Sequence, residues 1–253
     1  KSIPLPTAAQ AKRIPAIGAA RIAHGTITMG DPSEARYTVA GIAPSMLDEM
    51  VSAVVDARAL LTALKSAPTA PILPGLEAGT VSVNGIVVPA LPGSCVGDID
   101  PMPKLAMACT VIRASGLAAL YSVLPAAGTD ITRDSLRSAW IDGGDAGPLT
   151  AWASDGHRAH GAPMSEDSIE GVVPRRVSIP SRDLAVAKAV KAASIGLGET
   201  RTNAGYAGIE IYVPCGVVIR SQGPERGVQA PDMAQVMPKG MASGATPVPL
   251  TLA

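Results

Sequence analysis

The sequence contains no phenylalanine, and aromatic residues make up only 2% of its 253 residues. Apolar residues still reach 47%, so the core must be built from Ala, Val, Ile, Leu and Met. This is enough material for one large domain or two of about 125 residues. Cysteine is also scarce. Cys95, Cys109 and Cys215 lie far apart, form no CxxC pair, and with three histidines offer no zinc spacing. We therefore expect free thiols in a reducing cytoplasm, and neither a metal nor a cofactor.

Long apolar runs and an excess of one charge are missing as well. No apolar run approaches the roughly 18 residues that a membrane-spanning helix needs, and we expect no secretory signal. Lys and Arg number 21, as do Asp and Glu, so the formal net charge is zero. This balance argues against a protein that binds nucleic acid with its whole surface. It permits one basic face balanced by an acidic one.

Short elements dominate the pattern that is present. The 23 prolines are scattered through the chain, which is typical of many short elements. Asn84-Gly85, between two apolar runs, predicts a two-residue hairpin turn. Alternating or β-branched segments that predict strands are Ala20–Met29, Ala35–Ile42, Gly79–Leu91 and Gly208–Gln222.

Three amphipathic helices are predicted, over Asp56–Ala67, Arg113–Leu124 and Ser181–Ser194. For the third, Ser181 is a candidate N-cap and Asp183 suits the positive end of the helix dipole. Lys188 and Lys191, three residues apart, are predicted to share one of its faces.

A strand, a helix, paired strands and a proline-rich exit occur twice, about 125–130 residues apart. Repetition at domain length predicts two related α+β domains. We place them at residues 1–105 and 106–239, with 240–253 as a tail or the start of a third domain.

The stretch Asp155-Gly156-His157-Arg158 permits three interpretations. An acid and a histidine on one face suit general acid–base catalysis by a hydrolase. Asp-Gly equally suits a polar turn, and the same residues suit a binding surface. No Gly-x-Ser-x-Gly elbow or P-loop accompanies them.

Basic side chains on the helices are candidates for phosphate contacts, although an ordinary solvated face explains a single basic helix equally well. Two related domains that each present a basic helix predict one sequence-independent, salt-sensitive wall for nucleic acid. Its candidate residues are Arg58, Lys65, Arg113, Arg182, Lys188 and Lys191.

Four ordered motifs in the second domain carry a family resemblance: TRDSL (132–136), LTAWASDGHRA (149–159), SIPSRDL (178–184) and APDMAQVMP (230–238). They resemble motifs of the bacterial DNA polymerase III beta subunit, the sliding clamp. SDGHRA, within the second motif, is similar to the family's Thr-Asp-Gly-His-Arg-Leu, and the fourth motif is similar to its Phe-Pro-Asp-Tyr-x-x-Val-x-Pro. The first domain resembles the family less closely, through 12–22, 54–65 and 98–103.

The resemblance implies a DNA-clamp fold with no catalytic residues. It implies a ring around double-stranded DNA and a pocket for short linear peptides of DNA polymerase and clamp-loader subunits. By motif, the pocket residues are Arg133, Leu136, Ser154, Gly156, His157, Arg158, Ala159, Pro231, Gln235 and Val236.

This chain departs from the family at Ala159, Ala230 and Gln235, where the family has a larger aliphatic residue, a Phe and commonly a basic residue. The family chain has three domains, so we expect a homodimeric ring if a third domain exists and a trimer if there are two. The alternative is a clamp-fold module that binds such peptides without forming a ring.

Overall fold

The computed structural model describes residues 18–31, 35–91, 104–105, 110–130, 133, 135–143, 149–171, 177–199 and 207–221. We refer to residues 18–91 as the N-terminal half and to residues 110–221 as the C-terminal half. The predicted α+β class is confirmed, because helices pack on antiparallel sheets in both halves.

The three helices are α1 (Ala57–Ser66), α2 (Ala114–Val123) and α3 (Ser181–Ala189). The strands of the N-terminal half are β1 (Ala19–Ala23), β2 (Thr26–Asp31), β3 (Ala35–Ala40), β4 (Ala53–Asp56), β5 (Ile72–Pro74), β6 (Val81–Val83) and β7 (Ile86–Val88). Those of the C-terminal half are β8 (Thr110–Arg113), β9 (Ser138–Asp142), β10 (Thr150–Ser154), β11 (Ala159–Pro163), β12 (Ile169–Gly171), β13 (Val177–Pro180), β14 (Ser194–Glu199), β15 (Ala207–Tyr212) and β16 (Val218–Ser221).

These strands form three sheets. A nine-stranded sheet has the order β12-β8-β14-β15-β16-β3-β2-β1-β4, so it contains strands of both halves. The four-stranded sheet β11-β10-β9-β13 belongs to the C-terminal half, and the three-stranded sheet β5-β6-β7 to the N-terminal half. The halves therefore join through the antiparallel pair β16 and β3.

Each half has its own apolar core. In the N-terminal half, α1 places Ala57, Leu60 and Ala63 against buried residues of β1, β4, β6 and β7. Asp56 caps this helix, because its Oδ1 accepts hydrogen bonds from the backbone amides of Arg58 and Ala59 at 2.9 and 2.7 Å.

In the C-terminal half, α2 and α3 pack against each other and against both the four-stranded and nine-stranded sheets. Leu117, Leu120 and Leu184 are fully or almost fully buried there. Ile209 and Ile211 of β15 face this core. Glu210, between them, therefore points to the opposite face of the sheet.

Glu210 anchors the chain that connects the two halves. Its Oε1 accepts hydrogen bonds from Arg220 Nε at 3.0 Å and from the Leu105 backbone amide at 3.3 Å. Its Oε2 accepts one from the Tyr212 hydroxyl at 2.8 Å. Residues 104–105 consequently lie on the sheet face that points away from α2 and α3.

Most predicted elements are confirmed. Asn84 and Gly85 both have positive φ, 49° and 77°, as the predicted two-residue turn between β6 and β7 requires. The third helix was predicted too long, since α3 ends at Ala189. The predicted Ser181 cap is wrong: Pro180 holds the N-cap position, and Ser181 Oγ donates to the Arg137 carbonyl at 2.6 Å.

Two tryptophans stack on the four-stranded sheet. Trp140 of β9 and Trp152 of β10 are cross-strand partners, and Trp152 is paired with Gly161 of β11. A Cβ on Gly161 would lie only 2.5 Å from Trp152 Cζ3, so the indole lies flat on the glycine. Gly161 therefore provides the space that Trp152 occupies.

We expect Gly161→Ala to push the Trp152 indole outward and to lower the free energy of unfolding by about 1–2 kcal/mol, because the ring leaves its packed rotamer. Urea unfolding followed by tryptophan fluorescence measures both effects. His160→Ala, an exposed neighbour on the same strand, is the control. A Gly161→Ala protein as stable as the control would contradict this packing role.

Candidate functional site

Asp155-Gly156-His157-Arg158 forms the loop of the β10–β11 hairpin, closed by the pair Ser154 and Ala159. Asp155 Oδ1 accepts the backbone amides of His157 at 2.9 Å and Arg158 at 3.0 Å. Ser154 Oγ donates to the Arg158 carbonyl at 2.7 Å and accepts the Gly156 amide at 3.0 Å. The loop thus satisfies its own backbone with two side chains, in the manner of an Asx turn.

Gly156 brings this loop against a second segment. Its φ of 92° favours glycine, and a Cβ there would lie 3.5 Å from Leu136 Cδ1 and 3.8 Å from an Arg133 guanidinium nitrogen. Gly128 helps to hold Leu136 in place, because the Gly128 amide donates a hydrogen bond to the Leu136 carbonyl at 2.7 Å. Leu136 is half-buried, whereas Arg133 and His157 are exposed.

Arg158 ties the loop to the end of α2. Its Nε lies 3.0 Å from Asp155 Oδ2, and its Nη2 donates to the Pro125 carbonyl at 2.9 Å. The guanidinium therefore holds the hairpin in place, and this leaves Arg133 and His157 as the exposed polar groups beside Leu136. The contacts of Pro125 and Gly128 could not be predicted from residue type, because both residues contribute only backbone atoms to them.

The electrostatics of Asp155 suit a turn better than catalysis. Backbone hydrogen bonds from His157 and Arg158, followed by the Arg158 charge, hold the pKa of its carboxyl below the usual value. Within the described residues, no hydrogen bond joins this carboxylate to the His157 imidazole. A hydrolase that uses Asp155 and His157 would need such a contact.

The structure thus brings seven of the ten predicted pocket residues to one surface around this hairpin, which we call the hairpin surface: Arg133, Leu136, Ser154, Gly156, His157, Arg158 and Ala159. Among them Ser154 is buried and its hydroxyl bonds the backbone of the loop, while Ala159 is exposed. Pro231, Gln235 and Val236 lie outside the described residues.

The predicted basic residues fall into two groups. Arg58 and Lys65 on α1 and Lys188 on α3 are exposed, and Lys188 Nζ lies 5.7 Å from the centre of the Tyr121 ring on α2. This distance suits a cation–π contact that orients the ammonium group. Lys191 is also exposed, but its φ of 54° places it beyond the end of α3, not on the predicted helix face.

The other two basic residues lie at the starts of α2 and α3. Arg113 donates to Glu170 at 3.1 Å at the start of α2. Arg182 is half-buried on the first turn of α3.

The described ranges contain neither a metal cluster nor a membrane-spanning helix. There, no cluster of three or more His, Cys, Asp or Glu side chains is placed to hold a metal ion. No helix in those ranges has the length and apolar character to span a bilayer.

Solved structures of bacterial DNA polymerase sliding clamps have the same architecture. The clamp from Caulobacter crescentus superposes with a TM-score of 0.62 at 18% identity, over 90% of this chain and 62% of that one. The DNA polymerase III subunit beta from Pseudomonas aeruginosa gives 0.58 at 18%, over 90% and 62%. The clamp from Bacillus subtilis gives 0.58 at 17%, over 89% and 61%.

The chain has the sliding-clamp fold. It spans less than two thirds of the length of these clamps. No protein-family model matches it, and no curated protein matches it in sequence. The clamp-fold resemblance predicted from the ordered motifs is confirmed at the level of three-dimensional structure.

We expect the amide resonances of His157 and Arg158 to titrate together with the Asp155 carboxyl, at a midpoint below its usual value of about 3.9. Because the folded pKa is lowered, the stabilisation by this carboxylate is present above the unfolded pKa and is lost as pH falls through the folded one. Nitrogen–proton correlation spectra recorded against pH measure this. Asp155→Asn should abolish the shared titration. Two amides that titrate separately would contradict the turn geometry.

Proposed function

We propose that this protein is a DNA sliding clamp: a non-enzymatic ring that encircles duplex DNA and tethers a polymerase through the hairpin surface. The sliding-clamp fold is the observation that carries the proposal. A ring works by topology, so that contacts with DNA can be weak while escape from a closed duplex stays slow.

On the DNA side, the exposed Arg58, Lys65, Lys188 and Lys191 would contact phosphates. Such contacts depend on salt and carry no sequence information, which permits sliding. Arg113 and Arg182 are weaker candidates. The Arg113–Glu170 pair offsets the charge of Arg113, and the partial burial of Arg182 limits its reach.

On the outer side, the hairpin surface would bind a short peptide of a polymerase or clamp-loader subunit. Leu136 provides an apolar contact that a peptide side chain would cover, and Arg133 and His157 provide donors at its rim. By motif, Pro231, Gln235 and Val236, which lie outside the described residues, would belong to the same pocket.

For ring assembly, the three-stranded sheet supports self-association. Leu73 on β5 and Val87 on β7 both lie opposite Ser82 of β6 and so share one face of the sheet, where 45% and 55% of their surface is exposed. We propose domains at residues 1–105 and 106–239, and a homo-oligomeric ring whose copy number depends on whether a third domain follows. The separate cores of the two halves support this division.

We expect the protein, loaded by a clamp-loading complex, to stay on nicked circular DNA and to leave within minutes once the circle is cut, because a ring slides off free ends. Gel filtration before and after cutting measures retention, and sedimentation velocity gives the mass of the free protein. Equal, rapid loss from circular and linear DNA would contradict the proposal. A strict monomer that still binds the peptide would favour the non-ring module.

Replacing both lysines, Lys188→Gln with Lys191→Gln, should weaken equilibrium binding to duplex DNA and reduce the slope of log affinity against log salt by about 1–2, since each lost phosphate contact lowers it by about 0.9. Fluorescence anisotropy across a salt series measures it. The matched control is Lys104→Gln, an exposed lysine beside Leu105 on the sheet face away from α2 and α3. An equal loss of slope in the control would contradict the proposed DNA face.

Leu136→Ala should weaken binding of a fluorescein-labelled clamp-binding peptide from a replicative polymerase by about tenfold, because it removes the apolar contact on the hairpin surface. Leu76→Ala, an exposed leucine between β5 and β6, is the control and should bind as the wild type does. A titration in which both variants match the wild type would exclude Leu136 from the pocket.

A further inference from the structure

The join between the halves lacks the usual device that fixes strand register. β3 and β16 pair over Val218↔Ala40, Ile219↔Val39, Arg220↔Thr38 and Ser221↔Tyr37. In a hairpin, the turn determines which residues face each other. These two strands are separated by most of the chain, so other contacts must select their alignment.

A buried cluster lies at the end of this pair. The Tyr37 hydroxyl donates to Asp183 Oδ1 at 2.9 Å, and Ser221 Oγ donates to the same oxygen at 2.9 Å. Tyr37 and Ser221 are 1% exposed and Asp183 is not exposed at all. One carboxyl oxygen of α3 therefore binds both members of the cross-strand pair Ser221↔Tyr37.

Tyr37 is the side chain that crosses between the halves here. It belongs to the N-terminal half by sequence, but its ring packs in the apolar core of the C-terminal half. A slip of one residue would turn Tyr37 to the other face of the sheet and direct Arg36 or Thr38 into that core. A slip of two would keep the face but move Tyr37 away from Ser221, and Asp183 would lose a donor.

Loss of these donors is unfavourable because Asp183 has little else to bind. Its Oδ2 has no hydrogen-bond partner among the described residues. Burial raises the pKa of this carboxyl, and the titratable or charged groups that act on it are Arg182 of its own helix and Tyr37 of β3; Ser221 of β16 carries no charge. Burial raises the pKa of the Tyr37 hydroxyl, and the nearby Asp183 carboxyl raises it further. The hydroxyl therefore remains a donor. A buried acid without these two donors would be left unsatisfied.

We propose that Asp183 is a register lock: it selects the pairing of β3 with β16 and so fixes how the two halves are aligned. Asp183 lies in the first turn of α3, and Lys188 lies in the last turn of the same helix. The alignment of the sheet and the position of that helix are therefore determined by the same carboxyl. This inference does not depend on the proposed clamp function.

Disulfide trapping tests the register directly. In a chain with Cys95, Cys109 and Cys215 replaced by Ser, Ala40→Cys with Val218→Cys reports the native register, because facing residues lie within disulfide range. Thr38→Cys with Val218→Cys reports a slip of two residues, since a diagonal pair is about 7–8 Å apart in the native register. Each pair is combined with Asp183, Asp183→Asn or Asp183→Leu.

We expect the native pair to cross-link and the slipped pair to remain reduced when Asp183 is present. Asp183→Leu removes the acceptor and should raise the slipped fraction about tenfold, whereas Asp183→Asn keeps an acceptor oxygen and should retain the native register. An unchanged ratio of the two cross-links in Asp183→Leu would overturn the proposal.

If Asp183→Leu does not fold, hydrogen exchange of two hydroxyl deletions replaces it. Tyr37→Phe and Tyr212→Phe each remove a hydroxyl group that donates to a carboxylate. The Tyr212 hydroxyl, however, bonds Glu210 within its own strand. We expect exchange of the β3 and β16 amides to accelerate about tenfold in Tyr37→Phe only, from loss of one buried hydrogen bond. Equal acceleration in both variants would overturn the lock.

Discussion

The pairing of β16 with β3 is the interaction on which the rest of this structure depends. It makes one nine-stranded sheet from two halves that have separate cores. Without it, each half would present an unpaired strand edge, with backbone groups left to water or to another chain. The helices α2 and α3 pack on one face of the C-terminal part of this sheet, and Leu105 binds Glu210 on the other. The strand pair thus joins the N-terminal strands to a sheet whose two faces are already distinguished by the helices and by Leu105.

The hairpin surface shows why residue type alone does not establish catalysis. An acid, a histidine and an arginine around a glycine are the components of a proton-transfer site. Here the Asp155 carboxylate is occupied by two backbone amides and a guanidinium, and Arg158 is tied to the Pro125 carbonyl. The resulting loop is held by its own hydrogen bonds, polar at its rim and adjacent to the half-buried Leu136. Those properties suit recognition of a peptide, because a pre-formed surface loses little entropy on binding.

Features that depend on neighbouring residues in the chain could be predicted from the sequence. Apolar spacing located the three helices, and Asn84-Gly85 located a turn because the positive φ values there suit those two residue types. The motif order identified the clamp fold, and seven of the ten residues that it predicted for a pocket lie on one surface. Pattern alone could not assign Asp183. Its position in the first turn of a helix predicted a role at the helix dipole, but β3 and β16 come from distant parts of the chain, and their Tyr37 and Ser221 bind its carboxyl. Lys191 was misplaced for a similar reason, since nothing in the lysine spacing indicates that α3 ends at Ala189.

The scarcity of large side chains is also relevant to the proposed DNA face. Among the exposed residues of α2 and α3, Ala118, Ser122 and Ala185 are small, and Ser122 turns its hydroxyl back to the Ala119 carbonyl. Lys188 is therefore the long cationic side chain of this face, and the Tyr121 ring steadies it. A surface with few charges would give a shallow energy profile along a duplex, because phosphate contacts carry no sequence information. Tight binding would oppose sliding. In a ring that retains DNA by topology, the sparse charge of these helices is consistent with a face that must remain close to phosphates without holding any one of them.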